Sequence, residues 1–224
     1  MAEPRVYQRV GNTSVNPSDY DVSVGQLALV FDGVDDWLVT NSINFTSTDK
    51  MTVWAGVRKL SDAAIGMVTE FGVGGVNTNQ FQLTAPRTAA ANYGFVSMGS
   101  TTSNATSSSV FAAPITNVLT GIGDISGDSA ILRVNGTQAA ISTSDQGTGN
   151  YGNYPLYIGR RGGTSLWFNG NFYGLIVRGA QTGETQLQLT EKYLNDKTKA
   201  FDFRDVTDSS SFRWNSATAS PDAS

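Results

Sequence analysis

The chain contains no cysteine and no histidine. The first absence removes disulfides, thiol nucleophiles and thiolate metal sites, and argues against a bridged secreted animal-type module. The second removes the Ser-His-Asp triad, a histidine general base and His-ligated zinc. Charge is sparse as well, at 15% of residues, with a net value of −4. Nucleic acid is not expected as a partner, because phosphate binding needs a basic face. No apolar run exceeds Leu27–Phe31, far below the roughly 20 residues that cross a bilayer. The opening MAEPRVYQRV shows no apolar leader, so neither signal peptide nor membrane insertion is expected.

What the 224 residues do contain is turn chemistry, with 24 glycines and abundant Ser, Thr and Asn. Short strands joined by turns follow from such a composition. Asp32-Gly33 splits two apolar runs in 27–39, and Asn135-Gly136 is a strong hairpin signal. A further hairpin is expected at Asp124–Asp128. In 50–60, Met51, Val53, Ala55 and Val57 alternate with Thr52, Trp54, Gly56 and Arg58, the period of a strand with one core face. Segments 66–72, 79–84 and 92–98 are further strands, and 99–109 is a polar loop or a Ser/Thr-rich edge.

One helix is expected, at 184–197. Leu187, Leu189, Tyr193 and Leu194 form its apolar face, and Glu184, Gln188, Glu191, Lys192 and Asn195 its polar one. Thr182 is a candidate N-cap. The preceding strand, NFYGLIVRG, is apolar on both faces, with Phe172 and Ile176 on one and Tyr173, Leu175 and Val177 on the other. It needs cover on both sides, and the helix is the candidate for the second. Three parts are expected: an N-terminal arm (1–26), an all-β, antiparallel two-sheet jelly-roll sandwich (27–198) and a C-terminal extension (199–224). The arm and the extension are too apolar for plain linkers. Tyr7, Tyr20, Phe203, Phe212 and Trp214 are the candidate subunit contacts.

Three stretches, FDGVDDWL (31–38), ILRVNGTQ (131–138) and YIGRRGG…FNGNFYGLIVRG (157–179), resemble in order and spacing the laminin-G-like, concanavalin A-like jelly rolls. The run into a helix ending EKYLNDKT is similar to versions in virion proteins of tailed bacteriophages. The resemblance implies two packed antiparallel sheets. It also implies a non-enzymatic virion protein (capsid decoration, tail or fibre) assembled in the host cytoplasm. Its partners would be other virion proteins and copies of itself, with a trimer expected by analogy with viral fibres. The alternative is a carbohydrate-binding module for attachment to a cell-surface glycan, because this architecture serves several functions.

Candidate chemistry is thin. Asp145, Asn150, Tyr151, Asn153 and Tyr154, in and beside loop 144–153, offer the flat apolar faces and amides that suit sugar recognition, or else a Gly/Asn-rich hairpin. Arg160 and Arg161 beside Gly162-Gly163 look like an anion site, or a solvated hairpin rim. Trp37, Trp54 and Trp167 are expected as core or sheet-surface anchors rather than ligand platforms. No cofactor is expected. Calcium at Asp32, Asp35 and Asp36 is the single metal candidate, and turn chemistry explains the same residues. A glycosidase needs paired carboxylates. The four glutamates, Glu3, Glu70, Glu184 and Glu191, lie in no such pattern, and Glu70 is expected as a solvated or ion-paired strand end.

Overall fold

A computed structural model describes residues 28–74, 78–163 and 165–200, and the backbone of two short strands nearer the N-terminus. In chain order the strands are β1 (Gln8–Arg9), β2 (Tyr20–Asp21), β3 (Ala28–Asp32), β4 (Leu38–Val39), β5 (Ile43–Asn44), β6 (Lys50–Lys59), β7 (Met67–Phe71) and β8 (Gln80–Thr84). They continue with β9 (Gly94–Met98), β10 (Thr102–Thr106), β11 (Ile115–Asp124), β12 (Ser129–Val134), β13 (Thr137–Ser142), β14 (Asn153–Tyr154), β15 (Leu156–Ile158) and β16 (Asn169–Arg178). Helix α1 (Glu184–Thr198) follows.

The pairings are antiparallel and build two seven-stranded sheets. The first runs β1-β4-β15-β7-β8-β9-β10, and the second β13-β12-β11-β6-β16-β3-β2, while β5 and β14 form a separate pair. This is the expected two-sheet sandwich. The expected turns form too: Gly33, Asn135 and Gly136 take the positive φ that such turns require. The polar 99–109 segment supplies β10, an edge strand. Both short N-terminal strands add to sheet edges of their own chain, β1 to β4 and β2 to β3.

The core lies between the sheets. Met51, Val53, Ala55 and Val57 of β6 face Val68, Phe71, Phe81, Leu83 and Phe95 of the first sheet, all buried. Phe71 stacks on Phe81, and Phe81 leans on Phe95. Glycine makes room on the opposite sheet: a Cβ at Gly121 would fall 2.1 Å from the Phe95 ring. Each such aromatic buries about 150–250 Å² and dominates the local packing energy.

Strand β6 is buried on both faces, not one. Its second face carries Trp54, which packs with Val118 beneath Leu187 and Leu194 of α1. A Cβ at Gly56 would come 2.7 Å from the Thr198 methyl, so this glycine permits the close approach of helix to sheet. A bulge between Phe172 and Gly174 repartitions β16. Phe172, Leu175 and Val177 turn to the core, and Ile176 to the helix.

The helix buries Leu187 and Leu194 as expected, but its docking face is rotated from the one read in the sequence. Leu189 and Tyr193 are exposed, while Glu191 and Asn195 are buried. The reason is an ion pair. Arg133 of β12 donates from Nε to Glu191 Oε1 at 2.8 Å and from Nη2 to Oε2 at 3.1 Å, and Thr120 adds a hydroxyl at 2.9 Å. A carboxylate with three such donors can lie against a sheet that an unpaired one would avoid. The N-cap is Gly183, which has no side chain to offer, and the expected Thr182 lies one residue earlier with its hydroxyl 3.0 Å from that of Thr52.

Candidate functional site

Loop 144–153 is held by its own polar groups. Asp145 accepts from the Gly147 amide at 2.6 Å, and Asn150 donates to the Thr46 carbonyl at 2.7 Å. Gln146 donates to the Asp124 carbonyl at 2.9 Å. Tyr151 is not at the surface. It is fully buried, edge-on to Phe81, with its hydroxyl 2.7 Å from that of Ser97. Burial pushes its phenol well above the usual range, against the Ser97 hydrogen bond. Gly123 opposite provides the space, since a Cβ there would meet the Tyr151 oxygen at 2.2 Å. Tyr151 is therefore a core residue and cannot stack on a ligand. Tyr154 is half-buried against Phe71, and Asn153 is exposed beside it, paired with Asn44.

Tyr7, Phe203, Phe212 and Trp214 lie outside the described residues. Of Tyr20 the backbone is described, as part of β2.

The acidic trio Asp32, Asp35 and Asp36 brings one oxygen from each within 4.8 Å of the others. Its atoms already serve the turn. Asp32 Oδ1 accepts from the Val34 and Asp35 amides at 2.7 and 3.2 Å, and Asp36 Oδ2 accepts from the Asp32 amide at 3.3 Å. An exposed trio of this kind is what turn chemistry alone produces.

A more developed arrangement lies on the outer face of the first sheet. The register aligns Val39, Tyr157, Glu70, Gln82, Val96 and Asn104 across it. Glu70 is buried rather than solvated, and it is ion-paired. Gln82 donates to its Oε1 at 2.8 Å, the Gly162 amide donates to Oε2, and Arg161 Nε lies 3.5 Å away. Burial raises its pKa, and the Gly162 amide, Arg161 and Gln82 oppose that shift. These partners are nitrogen donors, which position a carboxylate. A glycosidase would set a second carboxyl group opposite.

Next to Tyr157 sits a cluster that joins residues read separately in the sequence. Trp37 and Tyr157 stack at 6.0 Å. The Arg160 guanidinium lies 3.3 Å from the Trp37 ring centre, 5.3 Å from Trp167 and 5.6 Å from Tyr157. All four side chains are half-buried. The turn that carries Arg160 and Trp167 is closed at its base, where the Phe168 amide donates to the Gly159 carbonyl at 2.8 Å. Gly159 has φ +85°, and a Cβ there would strike Phe31 at 2.6 Å. Phe168 is fully buried, which ties the turn to the core. Arg160 and Trp167 thus flank this anchored base. Trp37 and Trp167 do act as surface anchors, but they surround a cation.

No protein-family model and no curated protein sequence matches the chain. Its fold does match solved structures. A carbohydrate-binding module (CBM40) of the Ruminococcus gnavus IT-sialidase, bound to α2,3-sialyllactose, aligns with 71% of this chain and 94% of its own, at TM-score 0.54 and 15% identity. Domain 4 of the extracellular arabinanase AbnA from Geobacillus stearothermophilus, in complex with arabinotriose, aligns with 81% and 85%, at TM-score 0.62 and 13% identity. The binding domain of botulinum neurotoxin DC, in complex with SialylT, aligns with 85% of this chain and 47% of its own, at TM-score 0.59 and 8% identity. The similarity establishes a lectin-like jelly-roll β-sandwich. Two of the three are named as a binding module or binding domain, and none of the three is described as a virion protein.

Proposed function

We propose that the protein is a non-catalytic carbohydrate-recognition sandwich that meets its glycan at Trp37, Tyr157, Arg160 and Trp167. The observation that carries this reading is the half-exposed aromatic–arginine cluster, continuous with the Glu70–Gln82 polar row. Sugars present flat C–H faces and fixed hydroxyls, so a site for them combines aromatic surface with positioned polar groups. The fold match supports it, since two of the matched domains are described in complex with oligosaccharides. Display on a virion, and assembly into a trimer, rest on the sequence resemblance of residues 27–198. That role is compatible with glycan recognition.

The test is a glycan array followed by calorimetry. Binding is expected in the wild type and lost about tenfold or more in Trp167→Ala, equivalent to about 1.4 kcal/mol or more. Asn150→Ala is expected to leave it unchanged. Equal binding by Trp167→Ala, or loss in Asn150→Ala alone, would move the site back to loop 144–153. An array without a hit would remove the reading altogether.

A further inference from the structure

Arg160 is set apart by its surroundings. Arg133 is paired with Glu191 and Glu184, and Arg161 with Glu70. Arg160 makes no ion pair among the described residues. Its buried Nε has no hydrogen-bond partner. That nitrogen is sealed from solvent, so an incoming ligand would be met by the outer nitrogens of the fork.

The group is also held still. The Trp37 ring lies against it, and Trp167 and Tyr157 lie farther out. Stacking of this kind fixes the plane of the guanidinium, and with it the direction of its donors. Burial lowers the Arg160 pKa, and the one charge effect opposing this comes from Tyr157, not from a carboxylate. Arginine nonetheless stays protonated in proteins. Nearby, burial lowers the Arg87 pKa, and the like charge of Arg161 adds to it. Glu70 pairs with Arg161.

We propose that Arg160 is the specificity determinant of the glycan surface and that it selects an acidic sugar through the sugar's carboxylate. A planar fork of fixed orientation matches a carboxylate in bidentate fashion, which a lysine or an amide cannot reproduce. The flanking tryptophans would take the apolar face of the same residue. The inference rests on the carbohydrate-recognition reading and narrows it to one ligand class.

The experiment compares 3′-sialyllactose and trigalacturonic acid with neutral lactose and arabinotriose, using the full chain and its Arg160→Gln and Arg160→Lys variants. Melting curves confirm that each variant folds, with Arg178→Gln as a surface control. At least one acidic oligosaccharide is expected to bind about ten- to a hundredfold more tightly than the neutral ones, the range set by a charged hydrogen-bonded pair. Arg160→Gln should abolish that preference, Arg160→Lys should restore little of it, and added salt should weaken it. Neutral sugars binding as tightly as acidic ones, or an acidic preference that survives Arg160→Gln, would overturn the inference and leave the recognition reading intact. Failure of every sugar to bind would overturn both.

Discussion

The outer faces of the two sheets use the same chemistry to opposite ends. Between the second sheet and α1, arginine, glutamate and tryptophan are sealed: Glu191 of the helix is fully buried, Arg133 nearly so, and Trp54 is 1% exposed. On the first sheet, Glu70 and Arg161 form a pair, but Arg160 is left over and Trp37 and Trp167 remain half-exposed. Where the buried arginine has its carboxylates and a helix lies above, the face is structural. Where a cation is stacked, oriented and unpaired, the face is available. The identity of the residues does not separate the two cases, and the accounting of partners does.

Four experiments sharpen that contrast. The largest effect is expected for Trp54→Ala, which empties the space under α1 and should cost about 3–5 kcal/mol in urea unfolding. Glu191→Ala should follow at about 3 kcal/mol, because it removes the buried carboxylate of the Arg133 pair and leaves the guanidinium with the exposed Glu184 and the Gly136 carbonyl. The double change Arg133→Met, Glu191→Leu should recover most of that loss, and a double-mutant cycle would show whether it does. Trp37→Ala, on the open face, should cost no more than about 1 kcal/mol, the scale of a partly exposed cation–π contact. A penalty as large as that of Trp54 would mean that the two faces are equally structural.

The smallest effect concerns Glu70. Its native pKa is raised, so the folded state holds the proton more tightly than the unfolded chain, whose ordinary value is 4.5. Its contribution to stability is fully present below that value and is lost as pH rises through the native pKa. Relative to Glu70→Gln, the wild type should therefore gain stability as pH falls from 7 toward 4.5. Urea midpoints at pH 7 and 5 would show the two curves converging or diverging in that direction.

Much of this architecture is legible in local sequence. The alternation of 50–60 and the Asp-Gly and Asn-Gly turns are period and turn signals that need no partner. The helix is legible as a helix, but its orientation is not. Leu189 and Tyr193 satisfy an apolar wheel, and only Arg133, 58 residues upstream of Glu191, turns the acid inward. Tyr151 is hidden for a related reason: a Gly- and Asn-rich loop suggests solvent, but Gly123 on a distant strand opens a socket for the ring. The candidate site was visible in pieces. Arg160 and Arg161 suggested an anion site, and Trp37 and Trp167 suggested surface anchors. What joins them is the pairing of Leu38 with Ile158, a register that neither segment encodes by itself.

The bond from the Asn169 side chain to the Asp32 carbonyl spans 137 residues. It marks where β16 slots between β6 and β3, so β3 lies against a strand made long after it. At about 5–20 residues per second, translation takes roughly ten seconds or more to deliver that neighbour. During this interval the apolar Ala28–Phe31 stretch has no place in a sheet beside β6. Ribosome-bound chains halted before Asn169 are expected to be cut readily by protease, and those extended beyond α1 to resist. The order of synthesis thus leaves an early strand waiting on a late one, and nascent chains of this protein are the form most in need of a chaperone.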